Sequence, residues 1–237
     1  MPAPGPAFPH SMLWILVPAF AILLPGLLTL VVRPGPRLTS AMQHLAAGLI
    51  MAAVAIELVP ETLKDADAKW AAIGGYVAGL AMVFLVRQLS RRLDRESPVG
   101  LLATVFIDVS LDGFLVGISL ATLAAGGAAI LIGSLSVELA FLVMATIGSL
   151  ATRDWPRTRV ILVVVCMSLA TLLGGLVGFT SAGELSPGLL SAATAFGVAA
   201  LVYLVPEELL VEAHEKNADT TLGSLMFFIG FGLPIFA

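Results

Sequence analysis

Charge is what this chain is short of. Of 237 residues only 12% are Asp, Glu, Lys or Arg, against about a quarter in ordinary soluble domains. With 59% hydrophobic residues, that shortage excludes a solvated globular surface and points to an integral membrane protein. Cysteine is nearly missing as well. Cys166 stands alone in an apolar run, so it cannot close an internal disulfide and reads as packing. No Ser–Lys or His-rich catalytic arrangement occurs, and an enzyme is not expected. There is no nucleotide-binding motif to make ATP a driver, and no nucleic-acid partner is expected. The first eleven residues, MPAPGPAFPHS, lack the basic region that opens a secretory signal, so the apolar stretch behind them reads as an uncut first helix.

What is there is apolar sequence in spanning lengths. A hydrocarbon core of about 30 Å takes about 20 residues of helix. Segments near that length tile the chain at 12–32, 40–62, 70–89, 99–122, 126–150, 160–182, 188–211 and 220–236. Loop chemistry separates them: RPGPR at 33–37, KDADAK at 64–69, RRLDRESP at 91–98, RDWPRTR at 153–159 and AGELSPG at 182–188. The expectation is one all-α polytopic domain over 1–237 with eight transmembrane helices. Ten of the 12 Lys and Arg residues fall at alternate loops, and only Lys64 and Lys69 fall on the other side. The positive-inside rule then places a multi-pass protein in the cell membrane with both termini outside the cytoplasm. Small residues at Gly75-xxx-Gly79 and Gly174-xxx-Gly178 suit close helix packing within the bundle. The same stripes would also serve a homodimer.

Against this background a few acids stand out. Asp108 and Asp112 lie inside "FIDVSLDGFLVGIS" (106–119), and Glu138 lies in the next span. A carboxylate at the bilayer centre costs about 3 kcal/mol or more unless something compensates. No Lys or Arg sits in the middle of any span to do so. At 1.5 Å per residue all three acids sit about 14–20 Å deep. Spacing of four puts Asp108 and Asp112 on one helix face, and Ser134 with Glu138 on another. Three carboxylates that close cannot all stay ionised without a cation. Such a site binds cations, shuttles protons, or does both; the plainer alternative is protonated acids that only join helices.

Two further motifs frame the acids. "ELVPETL" (57–63) and "YLVPEEL" (203–209) share Leu-Val-Pro-Glu near the ends of the second and seventh spans. These spans run in opposite directions, as an inverted repeat of helices 1–3 and 6–8 requires. Glu57 and Glu61 then mark an outer approach, and Glu207 and Glu208 an inner exit to which His214, near Glu212, would add; the plainer alternative is helix termination with solvated glutamates. His10 and His44 read as structural.

The stretches "AAGLIMAAVAIELVPE" (46–61), "DVSLDGFLVG" (108–117) and "LVYLVPEELLVEA" (201–213) resemble the ZIP (Zrt/Irt-like) metal-ion transporters, particularly their shorter bacterial branch. The resemblance implies a 3+2+3 arrangement with metal held between helices 4 and 5, and divalent metal uptake into the cytoplasm. In that family helix 4 reads His-Asn-x-x-Asp/Glu-Gly. Asp108 falls on the His, Val109 on the Asn, Asp112 on the acid and Gly113 on the glycine. Ser134 and Glu138 fall on the helix 5 ligands, with Leu135 where a second polar ligand is common. The long His-rich third loop of many relatives is missing. The central site implied is Asp108, Asp112, Ser134 and Glu138, an all-oxygen set that favours Mn²⁺, Mg²⁺ or Ca²⁺, while zinc is the family default and iron is carried by relatives. The metal is the transported substrate and no permanent cofactor is expected. Alternatives are a metal-binding membrane sensor, a ZIP-like protein that does not transport, or a carrier of another cation or protons.

Overall fold

Backbone polar groups have no water to bond in hydrocarbon, so a chain this apolar must satisfy them along each span, and helix does so segment by segment. The computed structural model describes residues 12–32, 35–92, 98–151, 155–216 and 221–236, and among these the regular structure is all helix, joined by short turns, with no strand. A 3₁₀ turn (Leu13–Ile15) leads into α1 (Leu16–Leu28). Helix α2 runs Pro36–Ala53, widens into a π-turn at Val54–Leu58 and finishes at Val59–Thr62. Then come α3 (Lys69–Arg92), α4 (Pro98–Thr122), α5 (Ala125–Ala151) and α6 (Arg157–Ala182). Helix α7 runs Pro187–Leu204, passes a π-turn at Val205–Leu209 and ends at Leu210–Lys216; α8 is Thr221–Phe236.

Six of these segments are long and apolar enough to cross a membrane: 36–62, 66–88, 100–122, 125–150, 157–182 and 187–207. Helices α1 and α8 are apolar but shorter, and the first span ends at Leu28, earlier than the apolar run to residue 32 suggested. Local chemistry sets the boundaries. Pro36 and Pro187 stand at the first position of their helices, where a missing N–H costs nothing. Ser186 caps α7 by accepting from the Leu189 N–H at 3.4 Å, and Asp65 accepts from the Asp67 N–H at 3.0 Å in the turn before α3. The π-turns have a cause in the shared motif. Pro60 and Pro206 each lack an N–H and crowd the carbonyl four residues back, so the helix loosens beside them.

Helices α1, α3, α6 and α8 carry a girdle of exposed apolar side chains, among them Phe20, Leu24, Val77, Phe84, Leu162, Leu173, Phe228 and Leu233. No exposed large apolar side chain comes from the described part of α4 or α5. Monomeric soluble proteins do not expose apolar surface on that scale. This is a lipid-facing ring around an inner set of α2, α4, α5 and α7.

The most extensive helix pairs are α4 on α6, α2 on α8 and α3 on α7, followed by α1 on α5. Between lipid-exposed helices the attraction is close packing rather than the hydrophobic effect, and glycines permit it. A Cβ on Gly113 or Gly117 would strike the α6 backbone at Thr171 or Gly175, and one on Gly174 or Gly178 would strike α4 at Ser110 or Phe114. Gly75 and Gly79 lie in the same way against Ala192 and Phe196 of α7. Both Gly-xxx-Gly stripes are thus packed against neighbouring helices of the same chain.

Candidate metal centre

The turn between α4 and α5 is two residues long (123–124), which forces the helices antiparallel and sets their middles side by side. Apolar packing then fixes their rotation. Along α4, Val105 and Val109 join one apolar cluster, while Leu115, Val116 and Leu120 join another. Along α5 the same change occurs between Leu135 and Leu139. Asp112 and Glu138 fall at these two changeovers, so the acids meet at the seam between two apolar masses.

One carboxylate oxygen from each of Asp108, Asp112 and Glu138 lies within 4.8 Å of the others. Asp112 is 3% exposed and Glu138 1%, while Asp108 is half-buried and faces a cavity. Two oxygens on one ion can be no further apart than twice the metal–oxygen distance, about 4.0–4.2 Å for Mg²⁺ and 4.6–5.2 Å for Ca²⁺. Oxygens within 4.8 Å of one another can close on a single cation once the carboxylates rotate inward. With oxygen donors only, the arrangement can hold a hard divalent ion or pass protons.

The other expected positions divide. Ser134 is 2% exposed, and its hydroxyl donates to Ile130 O at 2.8 Å, with Leu49 O of α2 at 3.3 Å, so its proton ties α5 to α2. Val109 and Leu135, at positions where the resemblance implies ligands, are 0% exposed and packed in the two clusters. Glu57 reaches α5: its carboxylate occupies the space a side chain at Gly127 would need. Glu61 pairs with Lys64 at 3.3 Å and lines a cavity of about 150 Å³ with Asp65, Ser191 and Thr194. Glu207 is bound to Arg87 at 2.9 Å. The side chains of Glu208 and Glu212, and the whole of His10, lie outside the described residues. His214 is exposed and its ring meets His44, 5.2 Å between centres.

Two residues have more to do than the sequence suggested. Arg87 reads as a loop charge, yet it stands in α3 and crosses to α7, where it also donates to Tyr203 Oη at 2.8 Å. With Asp108, Asp112, Thr104 and Tyr203 it lines a cavity of about 60 Å³ between α3, α4 and α7. The acids are therefore not remote from every basic group, as their place in the sequence implied. The clue was Tyr203 and Glu207, four apart and so on one face of α7. His44 reads as structural, and its partner across the bundle is 170 residues away in sequence.

Compared with known proteins, the chain matches no family model and no curated protein. Fold and centre by themselves define a multi-pass, all-α membrane protein with a buried acidic cluster able to hold a metal ion.

Proposed function

We propose that the protein is a non-enzymatic carrier of divalent metal cations across the cell membrane, with Asp108, Asp112 and Glu138 as the central site. The observation that carries this reading is the convergence of three carboxylates in the middle of a bundle girdled by lipid-facing side chains. Three carboxylates drawn together in a bundle interior offer a cation several oxygens at once, which is what a carrier's central site needs. Glu57 and Glu61 form the outer approach. Glu207, Glu208 and His214 form the inner exit, where Arg87 holds Glu207 until a cation or a helix movement displaces it.

The packing supports an inverted repeat of helices 1–3 against 6–8 around α4 and α5. Exchanging α1 with α6, α2 with α7, α3 with α8 and α4 with α5 turns the α2–α8 pair into α7–α3 and the α4–α6 pair into α5–α1. All four are major contacts. The exchange also carries one π-turn onto the other. Alternating access in such folds rocks the two repeats about a fixed central site. This supports the eight-span, ZIP-like reading, with α1 and α8 as short spans.

Flux decides the matter. Purified protein in sealed liposomes is expected to admit Mn²⁺ or Zn²⁺ down its gradient, with Mg²⁺, Ca²⁺ and Fe²⁺ as the comparison panel. Metal binding without flux would make the protein a sensor, and proton flux without metal would make it a proton carrier. In the same assay Glu57→Gln/Glu61→Gln should raise the apparent KM severalfold with little change in maximal rate, because these acids gather cations rather than hold them in transit. Loss of all flux in a folded double variant would move Glu57 or Glu61 into the central path.

Orientation is tested by labelling. In a Cys166→Ser background, a cysteine at Arg92 should react with an impermeant thiol reagent only from the cytoplasmic side, and one at Lys69 only from outside. Reverse labelling would exchange the outer and inner mouths.

A further inference from the structure

Two imidazoles meet where α2 begins and α7 ends. The His44 and His214 ring centres are 5.2 Å apart and the planes are inclined at 54°. One nitrogen of each ring is already committed. His44 Nδ1 lies 2.8 Å from the Ser40 carbonyl and His214 Nδ1 lies 2.7 Å from the Leu210 carbonyl, each one turn back on its own helix. A carbonyl oxygen only accepts, so in both neutral rings Nδ1 carries the proton and Nε2 presents the lone pair. Metal-binding histidines divide their nitrogens in this way, the far N–H being held by a backbone or carboxylate oxygen that aims the ring and raises its basicity.

The spacing agrees. With a metal–nitrogen distance of about 2.0–2.1 Å and a ring centre about 1.1 Å beyond the nitrogen, two imidazoles at the tetrahedral angle have centres about 5.2 Å apart. Two neutral rings in simple contact also fall in this range, so the neighbourhood carries the distinction. Ser40 and Gln43 are each 1% exposed, and neither Ser40 Oγ nor Gln43 Oε1 has a hydrogen-bond partner among the described residues. Ser40 stands one turn from His44 and so shares its face of α2. Buried oxygens of this kind take water, an ion or another side chain as partner, and these two stand on the helix that presents His44. Gly223 of α8 abuts the His44 ring, where any larger side chain would press on it.

We infer that His44 and His214 form a second cation site of two imidazole nitrogens, for a borderline divalent cation such as Zn²⁺, Co²⁺, Ni²⁺ or Cu²⁺. The inference deepens the inner-exit part of the proposed function, on which its place in a transport path rests, while its donor chemistry differs from the oxygen-only centre. Mg²⁺ and Ca²⁺ gain little from imidazole, so a cation leaving the carboxylates meets a site that sorts hard ions from borderline ones.

The test uses full-length, untagged protein in lipid nanodiscs with His10→Gln, which leaves His44 and His214 as the remaining histidines. One equivalent of Cu²⁺ is added and the coordinated imidazoles are counted by pulsed electron paramagnetic resonance. Two imidazoles on one Cu²⁺ are expected. Either His44→Gln or His214→Gln should leave one and weaken binding at least about tenfold. If the buried His44 variant misfolds, His214→Gln alone carries the test, since His214 is exposed. Asp112→Asn/Glu138→Gln should keep the two-imidazole signal, whereas Mn²⁺ binding should depend on those acids and not on the histidines. Failure of the Mn²⁺ arm alone overturns the central site and leaves this one standing. Fewer than two imidazoles in the parent, or a Cu²⁺ affinity unchanged by His214→Gln, overturns the histidine site.

Discussion

Asp112→Asn and Glu138→Gln proteins should fold normally, lose uptake, and no longer be stabilised by metal. Each substitution keeps the shape of a side chain that is 3% or 1% exposed, and removes the charge a divalent ion needs. In the parent protein, metal at a hundred times its Kd should raise stability by about 2.7 kcal/mol, because it binds the native state and not the unfolded one. Changing a residue behind a metal ligand costs about 10–100-fold in affinity, and loss of a ligand itself should cost at least the upper figure. The stabilisation should then vanish over the same metal range. Without metal the variants should match or exceed the parent, since one of three mutually repelling acids is gone. Thermal unfolding with and without Mn²⁺, read beside liposome uptake, checks both parts. Variants that still carry metal at the parental rate would place the site elsewhere.

Much of the centre was legible because the physics that makes it costly also makes it conspicuous. Acids in apolar runs stand out, and depth counted along two antiparallel helices brings Asp108 and Asp112 level with Glu138 from the sequence alone. The motif Leu-Val-Pro-Glu was read as a pair of span ends, and the π-turn at each was found only in the structure, although proline's missing N–H acts locally. Long-range relations were hidden. Arg87 and Glu207 are 120 residues apart, and nothing local says that an arginine near the end of α3 crosses to α7. His44 and His214 were read singly for the same reason. Ser134 was placed among the ligands by its spacing of four from Glu138, a spacing that does not reveal the helix-to-helix bond its hydroxyl makes with Leu49 O. Span length misled at α1, where the apolar residues beyond Leu28 continue past the helix as a turn.

Glycine at position 113 should prove as necessary as the acid beside it. Gly113 follows Asp112 in α4 and rests on the backbone of α6, so that a Cβ there would overlap the Thr171 carbonyl. That obstacle is main chain and cannot rotate away; α4 and α6 must separate or shift. Overpacking of this kind costs about 1–3 kcal/mol and sometimes more, and here the movement falls on the residue carrying a central carboxylate. Gly113→Ala should therefore lower both thermal stability and metal affinity. Two other glycines separate the causes. Gly133 in α5 has open space around it, so Gly133→Ala should be neutral or stabilise by up to about 1 kcal/mol through helix propensity alone. Gly75 in α3 rests on the Ala192 carbonyl of α7, and neither helix supplies one of the three acids, so Gly75→Ala should destabilise as Gly113→Ala does. Its metal affinity should stay near the parental value. If Gly113→Ala lowers stability but leaves metal affinity intact, the α4–α6 crossing holds the bundle together without positioning Asp112, and the carboxylate must be aimed by its contacts with α5.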